Sequence, residues 1–166
     1  MNAKVGVAAI ALIGSLAVPA HRVTAADSPA VERGRYLVTV GGCNDCHTAG
    51  FMEQGLRIPE ADRLTGMAVG FQGPWGTTYA ANLRVLASSL TEAEWMVRAR
   101  QDRLPPMPSY ILQSMKDDDL KAVYAYLRRL GTAGAAAPAY VAPGGRVQTP
   151  YFVFVPQTDE KRAAAR

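Results

Sequence analysis

The chain is short of several things that other proteins of its size rely on. It has only two cysteines in 166 residues, which rules out a disulfide-built scaffold. Aromatic residues make up 8%, thin for a large core, and histidine occurs twice, at His21 and His47. No run of Lys or Arg exists to serve as a nucleic-acid footprint. What is present argues against wholesale disorder: 49% of residues are hydrophobic and 19% charged. The length suits one domain.

The one long apolar stretch, Val5 to Ala20, follows Lys4 and precedes Val23-Thr24-Ala25. A basic start, an apolar middle and an A-x-A-like end describe a secretory signal peptide over residues 1–25. An uncleaved anchor is the alternative. The run falls short of the roughly 20 residues needed to span a bilayer, and Gly6, Gly14 and Pro19 interrupt it. Cleavage removes Lys4 and Arg22 and no acid, so the formal charge drops from +4 to +2. We therefore expect export to the periplasm, no membrane span after cleavage and no nucleic-acid partner.

Residues 26–130 read as the working domain and 131–166 as a Gly/Ala/Pro-rich tail. Val31 to Val40 carries a helical apolar pattern that Gly41-Gly42 ends. Residues 49–80 hold six glycines and two prolines among them and are expected to be mostly loop, wrapped around something. Thr91-Glu92-Ala93-Glu94 has the form of a capping box, with Leu90 and Trp95 placed as a staple, and starts a helix reaching about Arg100. Pro105, Pro106 and Pro108 keep the next stretch out of helix. Leu120, Val123, Tyr124, Leu127 and Leu130 form the apolar stripe of a last helix. Asp117–Asp119 suit its positive end, Arg128 and Arg129 its negative end, and Gly131 its stop. Three to four helices and no convincing strand are predicted.

Cys43-Asn44-Asp45-Cys46-His47 is the C-x-x-C-H pattern of covalent haem attachment. Two thiols at this spacing can reach the two vinyl groups of one porphyrin, and the next residue can offer its imidazole to the iron. Three other readings compete: a redox disulfide, a zinc site and a chance match. The first lacks the flanking strand and helix of a thioredoxin-like motif. The second lacks ligands, because structural zinc takes four and His21 leaves with the signal. With no other mature histidine, a second axial ligand is naturally a methionine thioether, which raises the reduction potential. Met107, between Pro106 and Pro108, is the first candidate. Met115 precedes the last helix, Met96 lies within a helix, and Met52 and Met67 lie in the loop, where methionine is commonly a gap-filler.

With these residues in view, the chain resembles class I c-type cytochromes. The resemblance implies a mostly α fold of three to four helices around one covalently bound haem c, with a long irregular loop and a C-terminal tail. It pairs Gly34 and Val38 of the first helix with Val123 and Tyr126 of the last, and it makes Met107, nineteen residues before Tyr126, the iron's second ligand. Gly34-Arg35-Tyr36-Leu37, Gly41-Gly42-Cys43, Gly73-Pro74-Trp75-Gly76, Ala81-Asn82-Leu83, Pro106-Met107-Pro108 and Asp118-Asp119-Leu120 are similar to a narrower group. These are single-haem subunits and domains serving bacterial periplasmic dehydrogenases. Lys116 stands where that group has a capping Ser or Thr, which leaves Ser114 or Asp117 to cap the last helix.

The resemblance implies an electron carrier rather than an enzyme, passing single electrons from a dehydrogenase to a respiratory acceptor. A haem enzyme or gas-binding sensor with an open sixth position is the alternative. The resemblance also implies that polar groups of the loop holding Trp75, Tyr79 and Asn82 bind the haem propionates; ordinary core aromatics and a turn-forming Asn are the other reading. Tyr151 to Pro156 is apolar and β-prone. It either packs on its own domain or docks on a partner, giving a hetero- or homo-oligomer, and we expect docking.

Overall fold

In the computed structural model, residues 26–156 are described; the expected signal peptide lies outside them. Ser28 accepts a hydrogen bond from Val31 N (3.3 Å) and Pro29 occupies the first turn, so helix α1 starts where both devices place it, spanning Pro29–Val40. The last helix, α7, spans Asp117–Leu130. Neither Ser114 nor Asp117 caps it. Lys116 holds the cap position without a side-chain bond, and Asp117, Asp118 and Asp119 in the first turn face the helix dipole.

The packing of α1 on α7 is the most extensive between any two elements. It needs Gly34, since a Cβ there would sit 2.0 Å from Ala122 O and 2.7 Å from Tyr126 Cβ. Val38, Val123 and Tyr126 are buried beside it, so the pairing of first and last helices follows the expected residues. Two further helices lie against α7: α4, Leu83–Ser89, and α5, Glu92–Ala99. The capping box at α5 forms in full, with Glu94 N donating to Thr91 Oγ1 (3.3 Å) and Thr91 N to Glu94 Oε2 (2.8 Å). Trp95 is buried and donates its indole N–H to Leu120 O (3.0 Å), which fastens α5 to the start of α7. Short helices complete the set: α2 at Cys43–His47, α3 at Phe51–Gln54 and α6 at Ser109–Ser114, with two 3-10 turns at Gly55–Arg57 and Glu60–Asp62. The fold is mostly helical, as expected, with more short helices than periodicity predicts.

The expectation that the chain has no strand is corrected. Strands β1, Gly70–Gly73, and β2, Gly76–Tyr79, form an antiparallel hairpin, and β3, Tyr151–Val153, joins β1 in parallel, giving the order β2-β1-β3. Glycine at both ends of β1 and at the start of β2 hid the hairpin. Gly70 is nonetheless required, because a Cβ there would meet Thr77 Cγ2 at 2.5 Å.

The tail runs back over its own domain as a strap, with Tyr151 to Val155 left 41–60% exposed. Asn82 Nδ2 donates to Ala133 O (2.7 Å) and Ala135 O (3.0 Å), and the buried Arg84 donates through Nε to Gly131 O (2.6 Å) and through Nη2 to Leu130 O (2.5 Å). Farther along, Thr77 and Val141 exchange backbone bonds of 2.7 and 3.0 Å, Tyr140 OH donates to Trp75 O (2.8 Å), and Phe152 and Phe154 each pack 5.9 Å from the Phe71 ring.

A charge cluster ties the chain's start to this frame. Arg35 reaches Asp27, Glu32 and Glu60, and Arg129 reaches Asp27 at 2.6 Å. Tyr126 OH donates to Glu60 (2.8 Å) beneath the Arg35 guanidinium. Burial alone would raise the Glu60 carboxyl, but the Arg35 and Tyr126 bonds outweigh it and hold it below the usual range.

Candidate cofactor site

Gly42, with φ of +66°, turns the chain from the end of α1 into α2. That single helical turn points Cys43, Cys46 and His47 into one cavity of about 710 Å³. The proximal side is tightly built. Thr48 Oγ1 donates to Asn44 Oδ1 (2.9 Å) and accepts from Leu64 N (2.8 Å), while Gly66 N donates to His47 O (2.8 Å). Leu64 is fully buried with a φ of 62°, a left-handed backbone that costs a leucine free energy and is sustained by those bonds.

His47 is buried and its Nδ1 lies 2.7 Å from Ala81 O. A carbonyl can only accept, so Nδ1 carries the proton and Nε2 keeps its lone pair. Burial lowers the imidazole pKa, and the Ala81 bond offsets this only in part, so the ring is neutral at neutral pH. A neutral imidazole held by a backbone carbonyl is the form a metal ligand takes. Burial pushes the Cys43 thiol up to about 11 and raises Cys46 as well. Neither is the low-pKa thiolate of a redox-exchange motif.

Apolar groups dominate the other walls: Phe71, Ala80, Leu83, Leu86, Trp95 and Val123. The loop between α5 and α6 adds Met107, flanked by Pro106 and Pro108. Of the five methionines in residues 26–156, Met107 alone lines the cavity. Met96 and Met115 pack against the core cluster, Met52 is 81% exposed, and Met67 lies outside the lining. Thr78 Oγ1 donates to Pro105 O (2.8 Å), and Arg103 N to Ser109 Oγ (2.8 Å), which brace the Met107 loop from both sides. The volume falls within the roughly 300–1,000 Å³ of pockets that hold small molecules and cofactors. Thiol pair, neutral imidazole, thioether and apolar walls together fit an iron porphyrin.

The loop residues expected at the propionates take other roles. Asn82 is buried outside the cavity and its amide is spent. Its Oδ1 accepts from Arg84 N and Val85 N as the cap of α4, and both Nδ2 hydrogens go to the strap. Trp75 does not line the cavity; its indole N–H lies 3.3 Å from Phe71 O and its ring covers Gly73. Tyr79 does line the cavity, but its hydroxyl bonds Thr149 Oγ1 (2.7 Å). Sequence reasoning missed Ala81, whose carbonyl orients His47, and missed Pro138 and Tyr140, which the strap brings into the lining. A backbone carbonyl carries no sequence signal, and the strap residues meet the site only through tertiary folding.

The model of the family Cytochrome c matches residues 31–131, the span that holds every helix but its first two residues. The chain belongs to the cytochrome c family. No curated protein and no solved structure matches it. As a cytochrome c it takes covalently bound haem c, and Cys43, Cys46 and His47 fit a single C-x-x-C-H site. Cytochrome c domains typically work outside the cytoplasm, extracellularly or in the periplasm. Among the described residues, no helix is long and apolar enough to cross a membrane.

Proposed function

We propose that this cytochrome c is a one-electron carrier of the periplasm, taking electrons from a dehydrogenase, and that His47 and Met107 would ligate its haem iron. One observation carries the ligand assignment: His47 and a single methionine line the same apolar cavity, from two different elements. Haem c, when bound, supplies a one-electron iron couple.

The protein's own residues do the rest. Cys43 and Cys46 would hold the haem by thioether links. Ala81 O fixes the tautomer of His47 and leaves Nε2 with the lone pair that would ligate the iron. Met107 offers a soft thioether that favours the reduced metal. The apolar walls exclude water and keep the local dielectric low, which limits the reorganisation that accompanies each change of charge. With His47 and Met107 both engaged, a bound haem would have no position left for a substrate, which supports a carrier over an enzyme. Residues 1–25, with their basic start and apolar run, support export.

Absorption spectra of the purified holoprotein test this reading. The oxidised wild type is expected to show the long-wavelength sulfur-to-iron band, and Met107→Ala to lose it and to bind carbon monoxide rapidly. Retention of the band in Met107→Ala, or rapid carbon monoxide binding by the wild type, rejects Met107 as ligand and favours a sixth position open to gases or substrates.

A further inference from the structure

We infer that the strap is a working part of the cofactor site, its residues Pro138 and Tyr140 forming a wall that keeps water from the haem and so holds the reduction potential up.

The cavity is not finished by the span that the chain shares with its family. That span ends at residue 131, whereas Pro138 and Tyr140 lie beyond it and line the cavity. The stretch that carries them is not core. None of residues 131–150 is buried, and among the described residues the core cluster has no member beyond Leu130. A segment without core contacts is usually the first to lift from a surface.

This one is held down instead, and always against the same wall. Thr78, Tyr79, Ala80 and Ala81 line the cavity. The hydrogen bonds that leave residues 133–149 all fall on Trp75–Asn82. Asn82 holds Ala133 O and Ala135 O, Trp75 O holds the Tyr140 hydroxyl, Thr77 pairs with Val141, and Tyr79 OH bonds Thr149 Oγ1. Gly76 makes room for the approach. Its φ is +98°, and a Cβ there would lie 2.4 Å from Val141 O and 2.9 Å from the Tyr140 hydroxyl oxygen.

The two lining residues suit a dry wall. Pro138 has no N–H to offer, and the Tyr140 hydroxyl is already donated to Trp75 O (2.8 Å). Their side chains therefore bring carbon surface and no free proton donor. Oxidised haem iron carries one more positive charge than reduced iron, and access of water stabilises that charge. A wall that excludes water therefore favours the reduced state. The inference rests on the haem of the proposed carrier but not on Met107: a wild type without the sulfur-to-iron band would fail the ligand assignment and leave the comparison of strap variants standing.

Equilibration of the full-length holoprotein with a redox mediator of fixed potential tests the proposal, with absorption spectrum and melting temperature recorded alongside. Tyr140→Ala is expected to shift the equilibrium about threefold toward the oxidised form. Adding Pro138→Ala is expected to bring the shift to roughly tenfold, about 59 mV for one electron. Tyr140→Phe, which restores the ring without its hydroxyl, is expected to bring the equilibrium back. Axial ligation should be the same in all of these proteins. An equilibrium unmoved by Tyr140→Ala overturns the proposal even if the melting temperature falls, because that is the mark of a purely structural strap. So does a shift in Tyr140→Phe as large as in Tyr140→Ala, or a shift that comes with a change of axial ligation.

Discussion

The two sides of the cofactor cavity are built by different means. Around His47 the chain is locked from several directions: a buried hydroxyl–amide pair at Thr48 and Asn44, a backbone bond to His47 itself, a carbonyl on its ring, and a strained Leu64 fully enclosed. Around Met107 the loop rests on a few polar tethers, and the short α6 that follows has no buried residue. Arg100 supports this side by donating to Leu112 O (3.1 Å) and Gln113 O (2.6 Å), both partly or fully exposed to water. The difference teaches where tolerance lies. The histidine side shares its residues with the core, so a change there is a change in folding. The methionine side can alter the iron's surroundings with the fold intact.

The sharpest break in that comparison is at attachment. Cys43→Ala or Cys46→Ala is expected to abolish or severely reduce the mature holoprotein, because each thiol holds one edge of the group around which the loop folds. Intact mass of the exported protein checks it: a variant carrying normal amounts of covalently attached haem would refute the assignment.

Next in size is the frame behind the histidine side. Gly34→Ala places a methyl within 2.0 Å of the Ala122 carbonyl oxygen, a backbone atom that cannot step aside without moving α7. A loss of about 3 kcal/mol in unfolding free energy is expected, at the upper end for an overpacked site. Denaturant unfolding of the holoprotein measures it, and a loss below about 1 kcal/mol would mean the helices can part cheaply.

A smaller effect is expected from the charge cluster at the far side of that frame. The Glu60 carboxyl is held low in the folded state, and Asp27 is held low by its bonds from Arg35 and Arg129. A carboxyl with a depressed folded pKa contributes stability that is fully present above its unfolded value, near 4, and is lost as pH falls through the folded value. Acidification from neutral to below pH of about 4 therefore lowers the melting temperature, and Glu60→Gln flattens that acid limb while leaving a lower plateau at neutral pH. An acid limb of unchanged steepness in the variant would remove Glu60 from the account.

The smallest effect is expected on the methionine side. Thr78→Val deletes the bond to Pro105 O, and that exposed tether contributes about 1 kcal/mol. The melting temperature should fall by a few degrees at most, while the sulfur-to-iron band, if Met107 is the ligand, weakens or shifts. A large thermal loss without a spectral change would make the two sides of the cavity alike after all.

Much of this was legible beforehand. The C-x-x-C-H run, the Thr91–Glu94 box and the stripe from Leu120 to Leu130 are local patterns, and each corresponds to an observed element. Gly34 was legible as a small residue, and its close approach to Ala122 shows why it is one. The β1–β2 hairpin was not legible, and of β3 only its β-prone character was. Gly70–Gly73 and Gly76–Tyr79 begin or end on glycine and are four residues each, and β3 meets its partner some eighty residues away in sequence. The surroundings of Asn82 and Trp75 were hidden for the same reason. Their polar atoms are taken up by the strap and by Phe71, contacts that only the folded chain defines.

The strap has a bearing on how the protein is assembled. Pro138 and Tyr140, which finish the cavity lining, belong to the last part of the chain, and the clasp of Asn82 and Arg84 on residues 130–135 fixes where that part begins its return. A chain emerging amino end first presents Cys43 and Cys46 long before these wall residues exist. Until that part of the chain has folded back, the binding cleft is open on one flank, and the carboxyl end closes it like a latch.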